Sequence, residues 1–298
     1  MRIEKVYFDA EDRVQLFGLL HTGEEKNETE VVISTHGMGS NCLKKRDDII
    51  AQKLTSNNIA YFTYNNRGSG LVNSARKEKE KFLQGTVYED VLDSYYDIVA
   101  SIKLMKSKGY KKIHLQGHSL GSTKTVYTYN KLLQNQDKEI LNSIKSVILL
   151  SLVDISQVMD YLVASNYDVD VPAIALQKEN EGNLDYIIKT NTSFMPLVSA
   201  KTFLRYYRDN NEIDFAKYTT PNYDLEKLNN ILVPIFMRWG NVNELISIPA
   251  NELSKLVNEK IANPIKDISY IDGATHNYKD KEDLLAEQIL NFIKNKVI

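Results

Sequence analysis

Short apolar runs alternate with amphipathic helical patterns along most of the chain, and this alternation limits the possible folds more than any other feature. The runs with strand character cover residues 6–8, 14–20, 31–35, 59–64, 112–116, 146–152, 233–237 and 267–271. A short, continuous apolar run is typical of a strand that is buried on both faces. Strands that alternate with helices predict a mostly parallel sheet covered by helices on both faces, and the first two runs predict an antiparallel edge.

The helical patterns fall between these runs. The most regular pattern places apolar side chains three or four residues apart, at Val87, Val91, Tyr95, Ile98, Ile102 and Met105. This spacing predicts one apolar helix face, and Gly109 is well placed to end the helix. Further helices are predicted at residues 44–56, from about residue 122, at 249–261 and at 281–296.

Residues 154–229 interrupt the alternation, because they contain helical fragments and no convincing buried strand. The segment is rich in tyrosine, with Tyr161, Tyr167, Tyr186, Tyr206, Tyr207, Tyr218 and Tyr223. It is too long for a simple connection, and it leaves the sheet at the end of a strand, where such sheets bind ligands. We therefore predict an α/β core formed by residues 1–153 and 230–298, with residues 154–229 as a helical cap over a pocket.

Composition excludes several classes of function. The 298 residues carry a formal net charge of −2, which favours neither nucleic acid nor an anionic membrane as a partner. No apolar stretch approaches the roughly 18 residues of a membrane span, and the first residues lack the apolar segment of a signal peptide. Cys42 is the only cysteine, so we expect no internal disulfide, no zinc cluster and a cytoplasmic location.

The sequence Gly117-His118-Ser119-Leu120-Gly121 is a G-x-S-x-G motif. It follows one predicted strand and opens a helix, which is the context that the motif requires. The turn holds the serine in a strained backbone conformation, so small residues are needed two positions before and two after it. We expect Ser119 to present its hydroxyl at the carboxyl end of the sheet as a nucleophile.

A second glycine turn, His36-Gly37-Met38-Gly39, follows the third predicted strand. Its glycines let the backbone turn so that the Met38 amide can point at an oxyanion. The Leu120 amide, directly after the serine, would be the second donor.

His276 follows the last predicted strand. A base must lie in a loop at the same sheet edge as the nucleophile, and this position satisfies that condition. The chain has five histidines, and His276 combines the right place with the order of serine before histidine. We expect His276 to be the general base.

These segments resemble the α/β-hydrolase superfamily, closest in style to its single-domain esterases, monoacylglycerol-lipase-like and serine-aminopeptidase-like members. The resemblance rests on four segments, at residues 36–39, 65–70, 117–121 and 273–276. It implies the α/β-hydrolase fold, a small-molecule acyl substrate, and chemistry that needs neither a metal nor an organic cofactor.

The third member of the triad departs from the pattern of this superfamily. The usual aspartate follows the strand at residues 233–237, but that position is Asn243 here. Three alternatives stay open, ranked in this order: Glu244 is the acid, Asp154 serves from the end of an earlier strand, or Asn243 only orients the imidazole in an incomplete triad. A neutral residue here can cost roughly 10⁴ in turnover.

The expected activity is hydrolysis of a carboxylic ester, thioester or amide through an acyl-enzyme on Ser119. One alternative is an acyltransferase or lactonising enzyme of the same fold. Another is a non-catalytic binding protein with a degenerate triad, and Asn243 motivates it. A homodimer is compatible with the sequence.

Overall fold

The computed structural model describes residues 1–25, 28–208, 212–218, 220, 223 and 225–297. Its strands are β1 Arg2–Asp9, β2 Gln15–Thr22, β3 Glu30–Thr35, β4 Ala60–Asn65, β5 Asn73–Lys77, β6 Glu80–Gln84, β7 Lys112–His118, β8 Ile144–Leu150, β9 Ile187–Lys189, β10 Leu197–Ser199, β11 Ile235–Val242 and β12 Lys266–Thr275. Its α-helices are α1 Lys45–Thr55, α2 Ser94–Ser107, α3 Leu120–Gln134, α4 Lys138–Ser143, α5 Ile155–Ser165, α6 Val171–Asn180, α7 Ala200–Tyr207, α8 Glu226–Asn229, α9 Ala250–Lys260 and α10 Glu282–Lys296.

Eight strands form one sheet in the order β1-β2-β4-β3-β7-β8-β11-β12. The first three neighbours in this order, β1, β2 and β4, pair antiparallel, and every later pair is parallel. The predicted mostly parallel sheet with an antiparallel edge is therefore confirmed. The carboxyl ends of β3, β7, β11 and β12 meet at one edge, which is where the polar turns of the sequence lie.

Alternate side chains of the central strands point to opposite faces of the sheet. In β3, Ile33 packs in the cluster that contains Ile98 of α2 and Val126 of α3, whereas Val32 packs in the cluster that contains Ile50 of α1 and Phe292 of α10. All of these side chains are buried. Helices thus cover both faces, which explains why the central strands are apolar throughout.

The long helix predicted from Val87 to Met105 begins later than its apolar spacing suggests. The Val87 amide donates to the Leu71 carbonyl, which holds this residue in a turn. Asp90 then accepts a hydrogen bond from the Leu92 amide and caps a short 3-10 turn, and α2 follows from Ser94. Val87 and Val91 are buried although they precede the helix. Their spacing therefore matches that of a helix face without their being part of α2.

A hairpin that the sequence did not predict separates β4 from this turn. Strands β5 and β6 pair antiparallel from Asn73 with Gln84 to Lys77 with Glu80. Their side chains are half-buried or exposed, so they lack the apolar alternation that marks a strand buried on one face.

The predicted cap contains more than helices. Between α6 and α7, the short strands β9 and β10 pair antiparallel, and the sequence did not predict this pair. Its helices share an apolar cluster with Leu120 and Val91. The end of the segment behaves differently, because Phe215, Tyr218 and Leu228 pack with the core of the main sheet. Residues 209–211, 219, 221, 222 and 224 of the predicted cap lie outside the described residues. The division at 153/154 and 229/230 stays a prediction.

Candidate active site

Ser119 occupies a sharp turn between β7 and α3. Its φ and ψ angles are 55° and −127°, a conformation that costs free energy in a residue with a side chain. The two flanking glycines permit the turn. A Cβ atom at Gly117 would lie 2.3 Å from the Gly121 carbonyl oxygen, and one at Gly121 would lie 2.1 Å from the Thr35 carbonyl oxygen. No residue larger than glycine fits at either position without a shift of the backbone.

The glycine turn after β3 lies directly against Ser119. A Cβ atom at Gly37 would be 2.9 Å from the Ser119 Cβ atom. The Gly39 amide donates to Thr86 Oγ1 at 2.6 Å, which fixes the far end of the turn. Within the described part of the chain, neither the Met38 amide nor the Leu120 amide has a hydrogen-bond acceptor. Two backbone donors, one in each glycine turn, are therefore without an acceptor among the described residues.

The buried side chain of His36 holds this turn through two hydrogen bonds. Its Nδ1 atom donates to the Gly37 carbonyl at 2.9 Å, and its Nε2 atom accepts from the Asn66 amide at 3.2 Å. Burial lowers the pKa of His36 to about 3, and the positive charge of Lys124 contributes to this shift. The imidazole is thus neutral, in the Nδ1-protonated form that both hydrogen bonds need.

His276 follows β12, and Glu244 follows β11, the neighbouring strand. The Nδ1 atom of His276 and the Oε1 atom of Glu244 share a short hydrogen bond. The histidine side chain is 16% exposed and the glutamate side chain 2% exposed. Glu244 is therefore buried behind His276, and His276 is open to the cavity on its other side.

Both oxygens of the Glu244 carboxylate are held. Oε2 accepts from the Gly240 amide at 2.9 Å and from Ser151 Oγ at 2.9 Å, and Oε1 accepts from the Leu245 amide at 3.2 Å. Burial by itself would raise the pKa of Glu244. The hydrogen bond and charge of His276, together with the Gly240 and Ser151 donors, outweigh burial and lower that pKa below its ordinary value.

The two other candidate acids lie elsewhere. Asp154 begins α5, and its carboxylate accepts from Ser156 Oγ at 2.6 Å and from the Gln157 amide at 3.3 Å. It is the N-cap of this helix. Asn243 is exposed and has a φ angle of 51°. Among the described contacts, only Glu244 of the three candidates bonds to His276.

Three residues near His276 and Glu244 were not assigned to the site from the sequence. Ser151 Oγ contacts Glu244, and it lies 3.0 Å from the Tyr278 hydroxyl, which in turn donates to the Arg238 carbonyl at 2.7 Å. His118 Nε2 donates to the His276 carbonyl at 2.7 Å. Burial is the largest cause that lowers the pKa of His118, so its ring stays neutral. These contacts join segments far apart in sequence, and no local motif signals them.

A cavity of about 440 Å³ opens over the serine, and Ser119, His276, Met38 and Leu120 all line it. We refer to it as the catalytic chamber. Five residues of the predicted cap line one side of this cavity: Ile155, Val158, Ser193, Phe194 and Pro196. Although both residues are described, Ser119 Oγ makes no hydrogen bond to His276. Such contacts often tighten only when substrate binds.

The described residues contain neither a membrane-spanning helix nor a cluster of metal ligands. No helix there combines the length and the hydrophobicity that a membrane crossing requires. In the same part of the chain, no group of three or more His, Cys, Asp or Glu side chains is arranged to hold a metal ion.

The fold is that of the α/β-hydrolase superfamily, as its resemblance in sequence implied. No family model matches the chain, and no curated protein matches it either. Solved structures match over nearly the whole length. A soluble variant of monoglyceride lipase from Saccharomyces cerevisiae, in complex with a substrate analogue, has a TM-score of 0.67 at 16% identity, and the match covers 100% of this chain and 97% of that chain.

Two further structures show similar agreement. DcsB in complex with its substrate analogue has a TM-score of 0.71 at 14% identity, and the match covers 99% of both chains. Est1E from Butyrivibrio proteoclasticus with bound ferulic acid has a TM-score of 0.65 at 16% identity, and the match covers 98% of both chains. At these identities the similarity establishes the fold.

Proposed function

We propose that this chain is a serine hydrolase that cleaves a carboxylic ester through an acyl-enzyme on Ser119. The observation that carries the proposal is the hydrogen bond between His276 and Glu244 at the wall of the chamber that Ser119 lines. This contact places a carboxylate beside His276, and His276 and Ser119 lie in the turns in which the sequence predicted a base and a nucleophile. The esterases and lipases among the similar structures support the same class of reaction.

The reaction begins with attack of Ser119 Oγ on the substrate carbonyl carbon, while His276 Nε2 accepts the hydroxyl proton. The imidazolium that forms is stabilised by Glu244, which also holds Nδ1 protonated so that Nε2 is the free base. The negative charge on the carbonyl oxygen is stabilised by the amides of Met38 and Leu120.

Collapse of the tetrahedral intermediate expels the alcohol, which takes the proton from His276. Water then enters, loses a proton to the same nitrogen, and attacks the acyl-enzyme carbonyl. The second collapse releases the carboxylic acid and returns the proton to Ser119. Thioesters and amides would follow the same steps, and an ester is favoured because an amine leaving group requires more assistance.

The buried Glu244 also weakens the main reason for a non-catalytic alternative. That alternative depended on Asn243 as the third member of the triad, and Asn243 is exposed to solvent. Acyl transfer to another acceptor would use the same acyl-enzyme. The ratio of transfer to hydrolysis when alcohols are added would distinguish the two.

The test is hydrolysis of a series of p-nitrophenyl esters by the wild type, Ser119→Ala and Ser193→Ala. Ser193 is an exposed serine that lines the same chamber away from the motif, so its variant is the matched control. We expect Ser119→Ala to lose about 10³-fold or more in kcat and Ser193→Ala to remain within about threefold of the wild type. Full activity in Ser119→Ala would overturn the proposal.

A further inference from the structure

The catalytic chamber is lined by one positively charged side chain and by no negatively charged one among the described residues. Lys44 is the only Lys, Arg, Asp or Glu side chain among the described residues that line it. The other polar lining groups are neutral hydroxyl and amide side chains together with His118 and His276. An anionic group of a substrate would therefore meet a cation in this chamber and no lining carboxylate.

The ammonium of Lys44 is free to bind a ligand. Lys44 precedes α1 and is half-buried. In the described part of the chain its ammonium makes no ion pair or hydrogen bond. Its neighbours do, because Lys45 pairs with Glu282 at 3.2 Å and Arg46 pairs with Asp47 at 3.1 Å.

A second cavity of about 310 Å³ adjoins the catalytic chamber and shares Val158, Phe194 and Leu245 with it. We call it the side chamber. Its remaining lining residues are Gln157, Tyr161, Glu244, Ile246 and Ser247. The Tyr161 and Phe194 rings lie 6.2 Å apart between centroids. Because the Glu244 carboxylate already bonds to His276, the side chamber offers mainly apolar and aromatic surface.

We propose that the substrate is an amphiphilic ester that carries a carboxylate on one side of the scissile bond and an apolar chain or aromatic ring on the other. Lys44 binds the carboxylate, and the side chamber holds the apolar group. This inference rests on the proposed function of Ser119. It adds a specificity-determining residue, Lys44, and a class of substrate.

Lys44 should favour substrates by their charge at this place. A charge-assisted hydrogen bond from a half-buried ammonium stabilises a carboxylate more than it stabilises a neutral group of the same shape. Solvent still reaches Lys44, so the gain is moderate, about five- to tenfold in kcat/KM. A substrate with an amine at this place would be repelled by the same charge.

The experiment compares matched esters with each variant. On the acyl side, p-nitrophenyl adipate half-ester is paired with its neutral isostere, p-nitrophenyl 6-methylheptanoate. On the alcohol side, 4-carboxyphenyl hexanoate is paired with 4-isopropylphenyl hexanoate. The variants are Lys44→Met, Lys44→Glu and the control Lys279→Met, which removes an exposed charge three residues after His276. Comparison with the wild type cancels the intrinsic reactivity of each ester.

We expect Lys44→Met to lower kcat/KM about five- to tenfold for the carboxylate ester of one pair, and to leave its neutral isostere within about twofold. Lys44→Glu should lower it further, and Lys279→Met should change both esters equally. The pair that responds identifies the side of the ester that Lys44 binds. Equal effects of Lys44→Met on charged and neutral esters in both pairs would overturn the proposal, even with Ser119 confirmed as the nucleophile.

A different result would refute the proposed function instead. In that case the wild type would hydrolyse no ester, and Ser119 would not be acylated by any of them. Calorimetric titration of Ser119→Ala with the two unactivated half-esters, monohexyl and monobenzyl adipate, then tests the subsite directly. Binding that is weakened about five- to tenfold in Ser119→Ala/Lys44→Met supports an anion subsite, and unchanged binding rejects it.

Discussion

His276 and Glu244 are thirty-two residues apart in the chain, and a hydrogen bond joins the Nδ1 atom of one to the Oε1 atom of the other. The parallel pairing of β11 and β12 produces this proximity, because it brings the loops after both strands to the same edge of the sheet. Glutamate is one methylene longer than aspartate. From one position beyond Asn243, its carboxylate reaches the imidazole and is still buried.

Replacement of the acid should identify it by its effect on turnover. We expect Glu244→Gln to reduce kcat about 10³- to 10⁴-fold, because an amide neither fixes the imidazole tautomer nor stabilises the imidazolium. Asp154→Ala should leave kcat within about threefold and lower the stability of the protein by about 1 kcal/mol, because alanine cannot cap α5 as Asp154 does. Steady-state kinetics and urea unfolding measure the two effects. The opposite ranking of the two variants would assign the acid to Asp154.

Ser151 should act through Glu244. Ser151→Ala leaves the Oε2 atom of Glu244 with the Gly240 amide as its donor, so the carboxylate is held less firmly and its pKa rises. We expect kcat to fall about tenfold, and the acid limb of the pH–kcat profile to shift to higher pH. Ser156→Ala is the matched control, since Ser156 donates to Asp154 instead. A fall in kcat without any shift of the acid limb would contradict the positioning role.

Gly121 cannot be replaced by a larger residue without a steric clash, and Gly182, which has open space around it, is the control position. Gly121→Ala places a Cβ atom 2.1 Å from the Thr35 carbonyl oxygen, so the nucleophile turn must shift. We expect loss of activity and a destabilisation of about 3 kcal/mol or more. Gly182→Ala, at a φ of +72° with open space around it, should cost only about 1 kcal/mol and keep activity. Similar stability of the two variants in urea would refute this account of the turn.

His36 should make stability depend on pH. Its pKa lies near 3 in the folded state, against an ordinary value of 6.5 for histidine. Between these values the unfolded chain binds a proton that the folded chain does not, so the free energy of unfolding falls as pH decreases from about 6.5 towards 3. His36 contributes about 1.4 kcal/mol per pH unit to this slope, and the buried His118 adds to it in the same direction. Urea unfolding of the wild type and His36→Asn between pH 7 and pH 4 measures it. A slope that is the same in both proteins would exclude this role of His36.

The sequence predicted most of the fold because its strands are buried on both faces and are therefore continuously apolar. It also predicted Ser119, Met38, Leu120 and His276 as site residues, since each stands in a turn with its own local pattern, and all four line one cavity. The predicted start of α2 was wrong, because Val87 is buried before the helix at a position that continues its spacing of apolar residues. The hairpin β5–β6 was missed because its apolar contact with the core is limited to Ala75 and Phe82, too few to give an alternating pattern.

The residues that hold the acid could not be found in this way. Ser151 contacts Glu244 across 93 residues, and it contacts Tyr278 across 127 residues. Such contacts depend on which strands become neighbours and on the exact length of the side chains. The sequence left Glu244, Asp154 and Asn243 open as the acid for the same reason. The chemistry of each side chain allowed the role, and only the packing of the loops shows which one contacts His276.

The central claim is that Ser119 is an activated nucleophile. The most direct measurement is labelling by a fluorophosphonate probe, followed by mass spectrometry of the modified peptide, for the wild type, Ser119→Ala and Glu244→Gln. We predict that the probe modifies Ser119 in the wild type, fails to label Ser119→Ala, and labels Glu244→Gln much more slowly. A folded wild type that the probe leaves unmodified, or modification at a different serine, would contradict the claim.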